Sequence, residues 1–444
     1  MKKLILTLLF LLATTQLQAQ ETAYLFSGTQ TWVDLPLVEA PFNFIKYKPD
    51  YFSMRQSSEL SLSWYHNMHR VIAGNPDEGV TVWEYLGLGA FDYFLGPMPL
   101  ANAWVHEEWH RSVMTRHQIA SFDDVNRFPF GQSIINVSRV NDNDLIALKR
   151  DHPADQVRLS AAGMEAQVFQ NQRIAENHFF KNVKSEDRVL MWLNALNVGG
   201  YMQTCASTDA DKTTDDELRD EGADVPARDF TGLDCTAWTY DLFRPDEPYA
   251  NRGTHPSGVG IKRYIKYSDL TEREQKFLKR QSLYTYANFL DPFMFWRNEF
   301  RSDFNGKSLR WNVKANHFMT SFGATIDLNL FADLEGDKYL LTLHNGMTDT
   351  RYLPGITVKA IDRPLSEKWF YTAAGTLWQQ PKNQRLEEKK QSTVVDGSFE
   401  VTYQHSVRFA YYLGVEAKTD GWIAGNVYTD DNVTGWIGTR IGVF

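Results

Sequence analysis

Hydrophobic and polar positions recur with two different periods along this chain, and the change falls near Ser308. Beyond it come strand-length stretches at 309–317, 324–332, 339–344, 356–361, 369–378, 398–404, 409–417, 422–428 and 434–444. Several alternate residue by residue, and polar or glycine-containing turns separate them, the pattern of an antiparallel meander. Before Ser308 the period is helical. Residues 80–117 read as helix broken by glycine and proline at 96–99, and further helices are expected at 153–181, 189–202 and 271–289. The last opens on a capping box, Thr271 with Glu274. Ahead of these, 57–65 alternates like a strand, and 24–26 with 29–33 suggests another. The predicted class is α+β: an antiparallel barrel or meander from the C-terminal part plus N-terminal strands, with a helical region inserted. The expected divisions are 20–79 for the N-terminal strands, 80–300 for the helical region and 301–444 for the barrel-like region.

The first nineteen residues change the compartment. Met1-Lys2-Lys3 precedes a short apolar run that ends at Leu17-Gln18-Ala19, the layout of a secretory signal peptide with cleavage after Ala19. The most apolar later stretch, 85–105, is interrupted by Asp92, Pro97 and Pro99, so no membrane helix is expected. In an oxidising compartment the two cysteines, Cys205 and Cys235, are expected to pair, tethering an acidic, solvated loop over 205–235. Within it Asp209, Asp211, Thr213 and Asp215 hint at a calcium loop, although Thr214 stands where the turn glycine belongs. A net charge of -9 without a basic block excludes nucleic acid as a partner. The 13 Trp, 20 Tyr and 28 Phe suit a protein with aromatic belts at a lipid interface. Strands running to a terminal Phe444 resemble the C-terminal portion of an outer-membrane barrel, which implies outer-membrane lipid as a partner. Arg440 shares a strand face with Phe444, where apolar residues are expected. A periplasmic β-sandwich is the alternative.

The chemistry concentrates in His106-Glu107-Glu108-Trp109-His110. On a helix His106 and His110 lie on one face and can offer two imidazole nitrogens to one zinc ion. Glu107 stands beside that stripe, within reach of a water at an open coordination position, where a general base belongs. Glu108 points about 100° further round. The bland alternative is a surface helix with two solvated histidines. Against it, the ten residues before the motif, 96–105, carry no charge, so the triplet that follows is expected to be half buried.

A third ligand is sought downstream. Glu165 sits among small residues in Ser160-Ala161-Ala162-Gly163-Met164-Glu165-Ala166, a pattern that lets a neighbouring helix approach. His117 lies on nearly the same stripe as His106, but about 16 Å along the axis, which leaves it an accessory residue. His255, among glycines at 253–260, is a candidate oxyanion donor, with a plain turn as the bland reading. The metzincin glycine is replaced by Val113. His106, Glu107, His110 and Glu165 together resemble the zinc site of the gluzincin metallopeptidases. That resemblance covers about 65 residues and implies zinc on His106, His110 and Glu165, with Glu107 activating water.

The expected function is therefore a zinc-dependent hydrolase at the outer membrane, acting on a peptide bond by analogy. A lipid or acyl ester reached from the membrane is the other substrate class. A barrel that only binds or transports, with structural histidines, is the rival of a different kind.

Overall fold

The computed structural model describes residues 31–45, 51–126 and 134–443. The proposed signal peptide, the strand reading over 24–30 and Phe444 lie outside them. The described residues form one large antiparallel sheet, a two-stranded ribbon and nine α-helices. The large sheet has ten strands: β1 (Trp32–Ala40), β4 (Phe300–Phe304), β5 (Lys307–Thr320), β6 (Gly323–Leu334), β7 (Asp337–Met347), β8 (Tyr352–Pro364), β9 (Trp369–Pro381), β10 (Gln391–Ser406), β11 (Phe409–Lys418) and β12 (Asn432–Gly442). β4 to β12 follow one another as a meander, and β1 adds to the far side of β12 with Trp32 opposite Gly442. The ribbon joins β2 (Phe122–Asn126) to β3 (Ile134–Ser138).

The sheet is open. Among the described residues β1 and β4 are its edges, and no ladder joins them, so strand pairing alone does not make the barrel that the alternation suggested. Helices span the open side instead. α1 (Met54–Ala73) packs on β1, α2 (Val82–Phe94) on α1, and α6 (Arg188–Cys205) on α2. A 3-10 segment, Thr285–Phe289, continues from α6 to β5. The backbone of Ala315 in β5 then donates to the Leu290 carbonyl at 2.9 Å.

Two expected strands are not strands. Residues 57–65 belong to α1, which opens on a capping box between Ser53 and Gln56. Ser57, Ser58 and Ser61 are buried there beside Leu62 and Tyr65. Small hydroxyl side chains on a buried helix face imitate the alternation of a strand. Residues 422–428 form an inward loop, with Trp422 fully buried between Trp378 and Phe318. The acidic stretch between the cysteines is also ordered differently. α7 (Asp209–Asp220) is a helix burying Ala210, Thr214 and Leu218, spaced four apart. Helical geometry turns its aspartates to different sides, so they do not form a calcium loop.

Around α5 (Pro153–Phe180), buried over nearly its whole length, the usual distribution of polarity is inverted. The outward face of the sheet is apolar: Leu328, Leu343, Ile356, Val358, Leu377, Leu413, Val433 and Ile437 are all exposed. The inward face carries the charges. Arg440 reaches Asp34 at 2.8 Å and Glu400 at 2.9 Å, and Lys359 reaches Glu176 of α5 at 2.8 Å. Arg173 of α5 pairs with Glu59 of α1 at 2.7 Å. A cavity of about 230 Å³ lies between helices and sheet, lined by Asp34, Arg55, Glu59, Glu176, Glu400 and Arg440. The position of Arg440 on an expected apolar face is thereby explained: its face is the inner one.

Removing the Arg440 guanidinium strands the buried Asp34 carboxylate and deprives the partly buried Glu400 of its partner. Arg440→Ala is expected to cost about 3–5 kcal/mol in a denaturant unfolding measurement, whereas Arg408→Ala, in the exposed turn before β11, is expected to change stability by less than about 0.5 kcal/mol.

Candidate metal centre

The H-E-x-x-H segment lies in α3 (Asn102–Arg116), preceded by the break after α2 that glycine and proline predicted. Val105, Trp109 and Val113 are completely buried, and their stripe seats α3 against α5. That contact fixes where the neighbouring positions face. His110 is buried, while the His106 side chain retains 13% of its exposure. His110 Nδ1 donates to the Leu159 carbonyl at 2.5 Å, so in the neutral ring the lone pair sits on Nε2, the atom that faces Asp234.

The carboxylate that meets the two histidines belongs to Asp234, not Glu165. Asp234 Oδ2 lies 3.1 Å from His106 Nε2 and 3.4 Å from His110 Nε2. The three potential ligand atoms all lie within 4.8 Å of one another. Burial alone would raise the Asp234 carboxyl, but His110 and His106 hold it down at about 2. Glu165 is buried elsewhere in a complete set of partners: Arg158 at 2.8 Å, the Gly425 amide at 3.0 Å and the Trp422 indole at 3.3 Å. Its work is to anchor the inward loop on α5. The small residues around it do allow a close approach, but what comes close at Gly163 is a pair of histidine side chains and not the backbone of a neighbouring helix. Gly163 lets the α5 backbone pass directly over the histidines, since a Cβ there would stand 2.2 Å from His106 Nε2 and 2.4 Å from His110 Nε2.

Asp234 is the first residue of α8 (Asp234–Phe243) and is held from three directions. Gly232 turns the chain with φ +72, and a Cβ there would strike the Tyr264 ring at 2.6 Å. Cys235 is joined to Cys205 at the end of α6, with their Cα atoms 6.0 Å apart. The Asp234 amide donates to the Tyr201 hydroxyl at 3.0 Å. The expected disulfide therefore pins the segment that carries the third donor, in addition to closing the acidic insert.

Glu107 is half buried beside the triad. Desolvation, with the negative charges of Asp229 and Asp234, pushes its carboxyl well above the usual range, toward the basicity a proton acceptor needs near neutral pH. Asp229 is itself raised to about 7 by burial and by Glu221. Glu217, farther out, is raised to about 8 by burial and by Asp229. Glu108 is buried against Arg111 and so is structural rather than idle. His117 ends α3 and bonds Asp155 at 2.9 Å, apart from the triad. His255 stands 3.3 Å from Glu221 and 3.0 Å from the Ser257 hydroxyl, which gives it no demonstrated place over a reacting oxygen.

Two imidazole nitrogens and one carboxylate oxygen suit zinc, and the glycine cradle keeps a side chain from filling the space they face. The residues present fit the ion. No family model, no curated protein and no solved structure matches this chain.

Gly163→Ala is expected to weaken zinc binding at least 100-fold in a competitive chelator titration, with the far-ultraviolet spectrum unchanged. A second expectation concerns acid. Burial would raise Asp155, but the His117 hydrogen bond and the Arg116 charge outweigh it and lower its carboxyl to about 2. The folded pKa lies below the unfolded one, so the stabilisation is present above about pH 4 and is lost as pH falls toward about 2. The share of the acid loss that belongs to Asp155 is on the order of 2 kcal/mol, and in urea unfolding across that window Asp155→Asn should lose less stability than the unsubstituted protein by about that amount.

Proposed function

We propose that the protein is a zinc-dependent hydrolase of the outer membrane, with His106, His110 and Asp234 as ligands and Glu107 as general base. The observation that carries this reading is Asp234 Oδ2 lying between the two Nε2 atoms, under a helix backbone thinned by Gly163. It keeps the gluzincin-like logic of two histidines and a downstream carboxylate, with aspartate in place of the expected Glu165.

Zinc held there would supply a Lewis acid for polarising a carbonyl. Glu107 accepts the proton of the attacking water as the new C–O bond forms. It then returns that proton to the leaving nitrogen as the C–N bond breaks. Tyr201, whose oxygen accepts from the Asp234 amide, keeps its own O–H for donation and is a candidate to steady the developing oxyanion. A peptide is the preferred substrate. The carboxyls of Asp229, Glu221 and Glu217 cluster near Glu107 and Asp234, and a lysine or arginine near the scissile bond would favour their ionised forms, so a basic peptide is the preferred class.

The apolar outer face of the sheet supports the membrane placement. In a barrel that spans lipid, outward positions are apolar and inward ones polar, and the strands here follow that rule. The helices that cover the open side continue the apolar surface with exposed Val82, Trp83, Leu86 and Phe94. No helix among the described residues is long and apolar enough to cross a bilayer. A helix-completed barrel in the outer membrane accounts for both facts, because helical segments pack on β1 and on β5 and close the gap without a spanning helix.

Glu107→Gln is expected to retain zinc and to lose roughly 10²–10⁴-fold in cleavage of a mixed peptide library followed by mass spectrometry. Asp234→Ala is expected to lose the zinc of this centre, while Glu165→Gln keeps it; the reverse result would restore Glu165 as the ligand. Membrane placement is checked separately in lipid vesicles. Leu413→Arg is expected to cost about 2–4 kcal/mol if that position faces the bilayer core, against less than about 0.5 kcal/mol for a water-facing surface.

A further inference from the structure

A second group of histidines surrounds Asp187, away from the H-E-x-x-H centre. His66 comes from α1, His178 from the end of α5, and Asp187 stands immediately before α6. His66 Nδ1 lies 2.8 Å and His178 Nε2 2.6 Å from the same oxygen, Asp187 Oδ2. The Ser185 hydroxyl is 2.5 Å from that oxygen as well. Three polar groups thus converge on one carboxylate oxygen, which has two lone pairs to offer. One cation drawn by two imidazole lone pairs and the carboxylate relieves that crowding. The three potential ligand atoms lie within 4.8 Å of one another, as in the first centre.

The surroundings are built in the manner of a ligand site. The other carboxylate oxygen, Oδ1, receives His69 Nδ1 at 2.8 Å, and His69 Nε2 continues to Asp92 at 2.7 Å, which fixes the rotation of Asp187. On the far side of His66, the Asn177 amide stands 3.1 Å from Nε2, while its own Oδ1 is buried without a partner. Turning that amide over lets Oδ1 accept from Nε2–H. Nδ1 of His66 is then unprotonated and aimed at the cluster. Asp187 and His66 are buried, and the His178 side chain retains 11% exposure as the way in.

We infer that His66, His178 and Asp187 form a second binding site for a zinc-like divalent cation, held by two nitrogens and one oxygen. Nothing in the inference depends on the hydrolase reading. The site joins three helices that are distant in sequence, where α1 and α6 help to close the open side of the sheet, so its effect is bracing. Binding only the folded state raises stability in proportion to the logarithm of free ion over Kd.

The test uses the full chain with His106→Ala and His110→Ala, which removes the first centre. Dialysed against zinc chloride and then washed, this variant is expected to retain one zinc per chain by mass spectrometry, with Tm raised over the chelator-treated protein. Adding His178→Gln, at the partly exposed ligand, is expected to abolish both effects. Cobalt(II) in the double variant provides a readout free of that third substitution: the intense d–d absorption of a tetrahedral site is expected. Zinc absent from the double variant, zinc retained with His178→Gln, or cobalt spectra like those of the aqueous ion would each overturn the inference. Failure of the first centre to bind zinc in the unsubstituted protein would leave these outcomes unchanged.

Discussion

The architecture depends on matching charge inside the sheet. Asp34, Lys359, Glu400 and Arg440 project inward from strands, where an uncompensated charge costs several kcal/mol. α5 supplies Arg173 and Glu176 to that interior, and α1 supplies Glu59. The helices therefore act as the filling that makes an inward-polar sheet tenable. The same requirement explains the apolar outer face: with the polar residues turned in, the alternation of a strand leaves aliphatic residues outside.

The candidate metal centre is a consequence of that filling. α5 lies deep within the molecule, and its small-residue stretch, 160–166, is where other elements can come close. On one side Gly163 admits the histidines of α3. Two residues on, about half a turn round the helix, Glu165 ties down the loop that carries Trp422. The disulfide and the turn at Gly232 then bring Asp234 to the histidines from a segment more than a hundred residues downstream of them.

Much of this was legible in the sequence. The helix boundaries around 96–99 and 153–181 followed from glycine, proline and apolar spacing, because those signals are local. Most C-terminal strands followed from period two. The misreadings share a cause, which is that tertiary burial overrode local pattern. Buried serines in α1 copied strand alternation, and Thr214 and Leu218 made a packed helix of a stretch whose charges suggested a solvated loop. Asp234 was hidden for the same reason. A lone aspartate before a cysteine carries no spacing signal, and only the fold brings it to His106. Its one sequence trace is the neighbouring Cys235, which shows that the segment is held in place.

Anomalous diffraction at the zinc edge from crystals of the zinc-loaded protein tests the central claim most directly. The account predicts a peak bounded by His106 Nε2, His110 Nε2 and Asp234 Oδ2, with Glu165 still on Arg158 and Gly425. A peak beside Glu165, or none at the H-E-x-x-H helix, would contradict it.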